Sequence, residues 1–219
     1  MTDTTSHSSL LDLESPARSI PPDSKAKGVE AGMALCLSGG GYRAMVFHMG
    51  VIWRLHETGL MSTLKRISSV SGGSITAGML ALKWGKLAGK PFARASFEQE
   101  FIAPLRKLAS ETIDAESVIF GAVLPGTTIS QQVAAAYDKI FDGATLQDLL
   151  DEPRFVINAT NVQTGVLWRF MKPYMADYRV GMVEHPTVPL ATAVAASWAF
   201  PPVLSPMELR LDPRSFKPN

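Results

Sequence analysis

Two short stretches carry residue types and spacings that could do covalent chemistry. One is Ser69-Val70-Ser71-Gly72-Gly73, which closes an apolar run and opens a helical pattern. A sharp strand-to-helix turn lifts a serine hydroxyl clear of a sheet, and small residues two before and two after it let neighbouring backbone pass. The usual pattern is Gly-x-Ser-x-Gly; Ser69 stands in for the first glycine and is small enough to do so. Such a run can equally be a plain helix N-cap or loop. The other stretch is Ser38-Gly39-Gly40-Gly41-Tyr42-Arg43-Ala44. Successive glycines let backbone N–H groups point into one spot, and the start of the next helix adds partial positive charge. The loop therefore suits an anion, either a bound phosphate or an oxyanion that exists only during reaction. Together the two stretches suit acyl transfer. A serine hydroxyl becomes nucleophilic once a base removes its proton, and each preorganised N–H donor is worth about 3–4 kcal/mol to the tetrahedral oxyanion.

Competing readings of the glycine loop follow from the same residues. It could be a tight structural turn. Gly39-Gly40-Gly41-Tyr42-Arg43-Ala44 also fits the Gly-x-Gly-x-x-Ala pattern of dinucleotide folds, but that pattern expects an acid at the end of the next strand. Here the next strand ends in Val70-Ser71-Gly72-Gly73, with none. A Walker loop is excluded because no Gly-Lys-Ser or Gly-Lys-Thr closes it.

The elements that must position these stretches are legible in outline. Met33 to Leu37 is a continuous apolar run, as in a buried parallel strand. Met45, Met49, Ile52 and Leu55 recur at helical spacing over Tyr42 to Glu57, widened by Val46, Phe47 and Val51. Arg66 to Val70 reads as a second strand and Ser74 towards Trp84 as a second helix. Helical pieces are expected over Phe97 to Leu108, Ile129 to Phe141 and Leu146 to Leu150, with a turn at Pro125-Gly126. Arg154 to Val162 and Val166 to Met171 form a hairpin around Gln163-Thr164-Gly165, and Leu190 to Trp198 a small-residue helix stopped by Pro201-Pro202. This order is that of an α/β sheet, whose parallel strands bring both turns to one carboxyl edge. Residues 1–30, rich in Ser, Thr, Asp, Lys and Pro, read as a flexible arm, and residues 31–219 as one α/β domain.

Four segments in order resemble the patatin-like phospholipase family: Ser38 to Ala44, Ser69 to Ser74, Asn158 to Gly165, and Ala195-Ala196-Ser197-Trp198-Ala199-Phe200-Pro201-Pro202. The resemblance spans roughly residues 33–205. It implies a three-layer sandwich with a mainly parallel central sheet flanked by helices. It also implies a lipid acyl hydrolase using a Ser–Asp dyad, with Ser71 as nucleophile and Gly39, Gly40, Gly41 and Gly72 as oxyanion donors. Arg43 matches the family's arginine after the glycines and would hold the loop or attract a lipid phosphate.

The family's base is an aspartate in an Asp-Gly-Gly or Asp-Gly-Ala turn after the Phe200-Pro201-Pro202 segment. No such turn follows that segment. Asp142-Gly143-Ala144 has the letters but precedes Asn158, out of order, and reads as a loop after a helix. Asp212 lies near the expected region but is followed by Pro213-Arg214. The chain is thus expected to stop short of the dyad aspartate, as a fragment, as one of two chains, or as an inactive lipid-binding relative. Of the histidines, His7 lies in the arm, His48 and His56 fall on the first long helix, and His185 in a loop is the least implausible substitute base.

Composition limits the remainder. The 219 residues carry 21 Lys and Arg against 20 Asp and Glu, a net charge of +1, which argues against non-specific nucleic-acid binding. A single cysteine, Cys36, allows no internal disulfide and reads as a buried structural thiol. No histidine–acid spacing suggests a metal, and no cofactor is expected. Trp53, Trp84, Trp168 and Trp198 read as core or groove wall, and Lys83, Lys86 and Lys90 as a solvated basic cluster. With no apolar run of spanning length and no secretory leader, the expected place of action is cytoplasmic, peripheral at the inner membrane face, on a phospholipid or other acyl-ester lipid. A small-molecule activator or a homo-oligomer has no residue to support it.

Overall fold

The computed structural model of the chain describes residues 31–88, 91–110, 128–199 and 204–217. Strand β1 (Met33–Leu37) leads through the glycine loop into helix α1 (Gly41–Glu57), and β2 (Leu64–Val70) leads through Ser71 into α2 (Gly72–Leu87). A helical stretch follows as α3 (Arg94–Phe97), a π-helical turn (Glu98–Ile102) and α4 (Ala103–Ser110). Helix α5 (Ile129–Phe141) opens on a capping box. The Thr128 hydroxyl accepts from the Gln131 amide at 3.3 Å, and the Gln131 side chain accepts from the Thr128 amide at 2.9 Å. It ends where Asp142 turns left-handed at φ 54. Strands β3 (Arg154–Asn161), β4 (Val166–Phe170), β5 (Tyr174–Asp177) and β6 (Gly181–Glu184), helix α6 (Leu190–Trp198) and the short β7 (Phe216–Lys217) complete the order.

All seven strands form one sheet in the order β1-β2-β3-β4-β5-β6-β7. Its first half is parallel, with Leu37 opposite Ser69 and Val70 opposite Asn158. From β3 onward every pairing is antiparallel. The α/β class is as expected, but the sheet is mixed rather than mainly parallel. The reason is connection length: β3 to β6 are joined by a few residues each, and a parallel return needs a crossover of a dozen or more.

Ile67, Phe155, Ile157 and Ala159 are buried on one face of the sheet, while Arg66, Ser68, Arg154, Val156 and Asn158 alternate onto the other. Successive right-handed crossovers in one direction place α1 and α2 on the same side. Helix α2 packs on β1, β2, β3 and α1, while α6 packs on β3, α2 and α5. Among the described residues the helices therefore cover one face, giving two layers where three were expected. Cys36, expected to be buried, is exposed: it alternates away from buried Leu37 on an edge strand. The arm and the turn at Pro125-Gly126 lie outside the described residues.

Candidate active site

The two chemical turns meet at the carboxyl edge of the parallel half. Ser71 sits between β2 and α2 at φ 55, ψ −124, a region that a side-chain-bearing residue rarely occupies. Strain of this kind costs about 1–3 kcal/mol and persists only where the surroundings over-determine it. The surroundings here are unusually close. A methyl at Gly72 would stand 2.1 Å from the Gly41 carbonyl oxygen, and one at Gly73 would stand 2.5 Å from that of Leu37. A methyl at Gly39 would lie 3.1 Å from the Ser71 Cβ and 3.7 Å from its Oγ. The serine turn is thus seated directly on the glycine loop.

Hydroxyls hold the turn from beneath. The Ser71 amide donates to the Ser197 Oγ at 2.8 Å, and the Ser197 Oγ donates to the Asn158 carbonyl at 2.6 Å. Ser74 Oγ lies 2.9 Å from Ser197 Oγ and donates to Ser69 Oγ at 3.0 Å, and Ser69 Oγ donates to the Val156 carbonyl at 3.3 Å. Ser69, Ser74 and Ser197 are all buried. Ser69 thus does more than fit where a glycine is usual: its hydroxyl is part of the support. The Asn158 side chain donates to the Ser68 hydroxyl and to the Ser69 carbonyl, each at 2.9 Å.

The glycine loop has its own anchor. His48, buried on α1, lies with Nε2 3.0 Å from the Ser38 carbonyl, a contact that requires the proton on Nε2. Spacing alone offered packing or solvation for this residue; an i+10 reach back to the loop becomes visible only once the strand and helix are antiparallel neighbours. Helix α1 starts at Gly41 with no side-chain cap, and α2 likewise has none. Two helix N-termini, neither with a side-chain cap, therefore converge on the space beside Ser71.

That space is a cleft of about 700 Å³ lined by Gly40, Gly41, Arg43, Ser71, Asn158 and Trp198, among others. Arg43 is exposed at its rim and makes no ion pair among the described residues. Trp198 forms a wall, with its ring 6.1 Å from that of Tyr42 and 6.3 Å from that of Tyr137. Burial pushes both tyrosine hydroxyls up, so they stay neutral. A second cleft of about 870 Å³ shares Ala159, Thr160, Ala196 and Ala199 with the first and runs on to Trp168, Phe170 and Leu209.

No carboxylate or imidazole lines the Ser71 cleft among the described residues. The alternation of strand directions carries His185, at the end of β6, to the edge opposite Ser71 and four strands away from β2, roughly 19 Å at the usual strand spacing. His185 is therefore not the base. Asp142-Gly143-Ala144 is a loop after a helix, as its sequence suggests. The Ala144 carbonyl accepts from the amide of Leu190, at the start of α6, whereas Ser197 at the far end of α6 meets Ser71. Roughly 10 Å of helix separates the two ends. Asp212 accepts from the amide and guanidinium of Arg214, which hold its carboxyl below the usual range. His56 is buried against Phe92 and Phe97, and burial lowers its pKa. Lys83 and Lys86 both face Glu100, at 3.8 and 2.8 Å, so that basic cluster is partly neutralised; Lys90 lies outside the described residues.

A family profile described as patatin-like phospholipase matches residues 35–214. No curated protein matches the chain significantly. Among the described residues no helix is long and apolar enough to cross a membrane.

Proposed function

Because the chain belongs to the patatin-like phospholipase family, we propose that it is a phospholipase A-type acyl hydrolase that cleaves acyl esters of membrane glycerophospholipids with Ser71 as the nucleophile. The observation that carries this reading is the backbone of Ser71, held at φ 55, ψ −124 against the glycine loop. The Ser71 Oγ attacks the ester carbonyl and gives its proton to a base. The carbonyl oxygen becomes an oxyanion, held by the amides of Gly40, Gly41 and Gly72, with Gly39 keeping the loop against the serine. Collapse expels the lyso-lipid alcohol and leaves acyl-Ser71, which water then hydrolyses. The base is none of Asp142, His185, His48 or His56, on the placements described above. In the family's dyad it is an aspartate.

Arg43 at the cleft rim suits the phosphate of the substrate. The second cleft, with Trp168, Phe170 and Leu209 in its lining, suits an acyl chain. Val70 and Leu167 are exposed apolar residues of the cleft lining, and exposed Val46 and Phe47 lie one helical turn on from Arg43; they support work at a lipid surface. The test is fatty-acid release from phosphatidylglycerol and phosphatidylcholine vesicles by the full-length gene product, as wild type and as Ser71→Ala. Release by the wild type alone is expected. Equal release by both would overturn the assignment of Ser71, and vesicle binding without release would favour a lipid-binding relative without turnover.

A further inference from the structure

We infer that Ser197 is a positioning residue for the nucleophile: its hydroxyl clamps the backbone amide of Ser71 and so sets the strained turn from which the Ser71 Oγ projects. The inference rests on the reading of Ser71 as nucleophile and adds a residue that no sequence motif singled out for a role.

Three contacts converge on this one buried oxygen. It accepts from the Ser71 amide at 2.8 Å, donates to the Asn158 carbonyl at 2.6 Å, and lies 2.9 Å from the Ser74 hydroxyl. A hydroxyl has one proton and two lone pairs, so this arrangement uses its full capacity. With its proton committed to Asn158, Ser197 accepts from the Ser71 amide, while the single Ser74 proton is shared between Ser69 and Ser197. The consequence for chemistry is specific. The Ser71 amide is engaged beneath the turn and leaves oxyanion binding to the glycine loop and Gly72. The clamp also ties three elements, the turn after β2, β3 at Asn158 and the last turn of α6, to one atom. Relaxation of the turn towards ordinary dihedrals would need that amide to rotate away from Ser197. An apolar side chain at this position would remove the acceptor of the Ser71 amide and one donor to the Asn158 carbonyl.

Ser74 supplies the control, since its hydroxyl is buried in the same network, while its own bond to the Ser71 backbone runs through its amide and survives in an alanine variant. Two readouts on the full chain decide the matter. The first is the rate of Ser71 phosphonylation by a fluorophosphonate, in which Oγ bonds to phosphorus, fluoride leaves and the hydroxyl proton passes to base or solvent. The second is hydrogen exchange of the Ser71 amide by NMR. Ser197→Ala should lower the maximal labelling rate by about tenfold to a hundredfold with little change in half-saturating probe, and should speed exchange at Ser71. Ser74→Ala should keep both near wild type at a similar loss of thermal stability, and Ser197→Thr, which retains the hydroxyl, should recover much of the rate. Equal losses in the two alanine variants, or an unchanged Ser71 amide in Ser197→Ala, would overturn the clamp. A wild type that never labels would sink the nucleophile assignment instead, and exchange would still decide the clamp.

Discussion

The parallel and antiparallel halves of the sheet solve different problems. In the parallel half, β1 to β3 all end at the edge where the glycine loop, Ser71 and Asn158 meet, and each turn there is braced by a neighbour from elsewhere in the chain. In the antiparallel half the tightest brace is local, around one buried carboxylate, with one longer-range ion pair at the far edge. Buried Asp177 accepts from Asn161 Nδ2 at 2.9 Å, Thr164 Oγ1 at 2.6 Å and the amides of Arg179 and Val180 at 2.6 and 3.1 Å. Glu184 and Lys217 pair across β6 and β7. The proposed site lies where strained backbone is held by long-range contacts, while the hairpins extend the sheet and wall the second cleft.

If that division is right, substitutions in the two halves should differ in kind. The largest effect is expected for Gly72→Ala, whose methyl has no room against the Gly41 carbonyl. It should destabilise the fold by about 3 kcal/mol or more and nearly abolish fluorophosphonate labelling, read by denaturant titration and gel fluorescence. Asp177→Ala should cost about 2–4 kcal/mol by the same titration, yet labelling of the remaining folded protein should stay within about threefold of wild type. A large labelling loss there would erase the distinction between the halves. His48→Ala should cost only about 1–2 kcal/mol but slow labelling by roughly tenfold, because it frees the Ser38 carbonyl at the base of the glycine loop.

The smallest effect concerns pH. Burial lowers the pKa of His56 below its ordinary 6.5. The folded state then binds fewer protons than the unfolded one, so stability is full above pH 6.5 and falls as pH drops through that value towards the folded pKa. The loss should be the smallest of the four effects and should vanish in His56→Gln, as measured by thermal midpoints at pH 7.5, 6 and 5.

The same division explains what could be read from the sequence. The units β1–glycine loop–α1 and β2–Ser71–α2 combine apolar periodicity with glycine punctuation, and they lie within two or three residues of where those signals place them. The β3–β4 hairpin was equally legible from Val162 to Gly165. Strands β5 and β6 are four residues each and β7 two, too short to show alternation, so these three strands and their antiparallel pairings are not legible in the sequence. At the site, Ser71 and Gly39 to Gly41 stand out by local pattern. Ser197, 126 residues from Ser71 in sequence, and His48 do not, because their roles consist of reaching another element. Cys36 misled for a related reason: an apolar run says nothing about whether its strand lies at an edge.

The most direct test of the central claim is to treat the folded chain with a fluorophosphonate, digest it and locate the adduct by mass spectrometry. A single adduct on the Ser71 peptide, lost on denaturation before labelling, is the predicted result. An adduct elsewhere, or equal labelling of native and denatured chain, would contradict the account of Ser71 as a nucleophile activated by its turn.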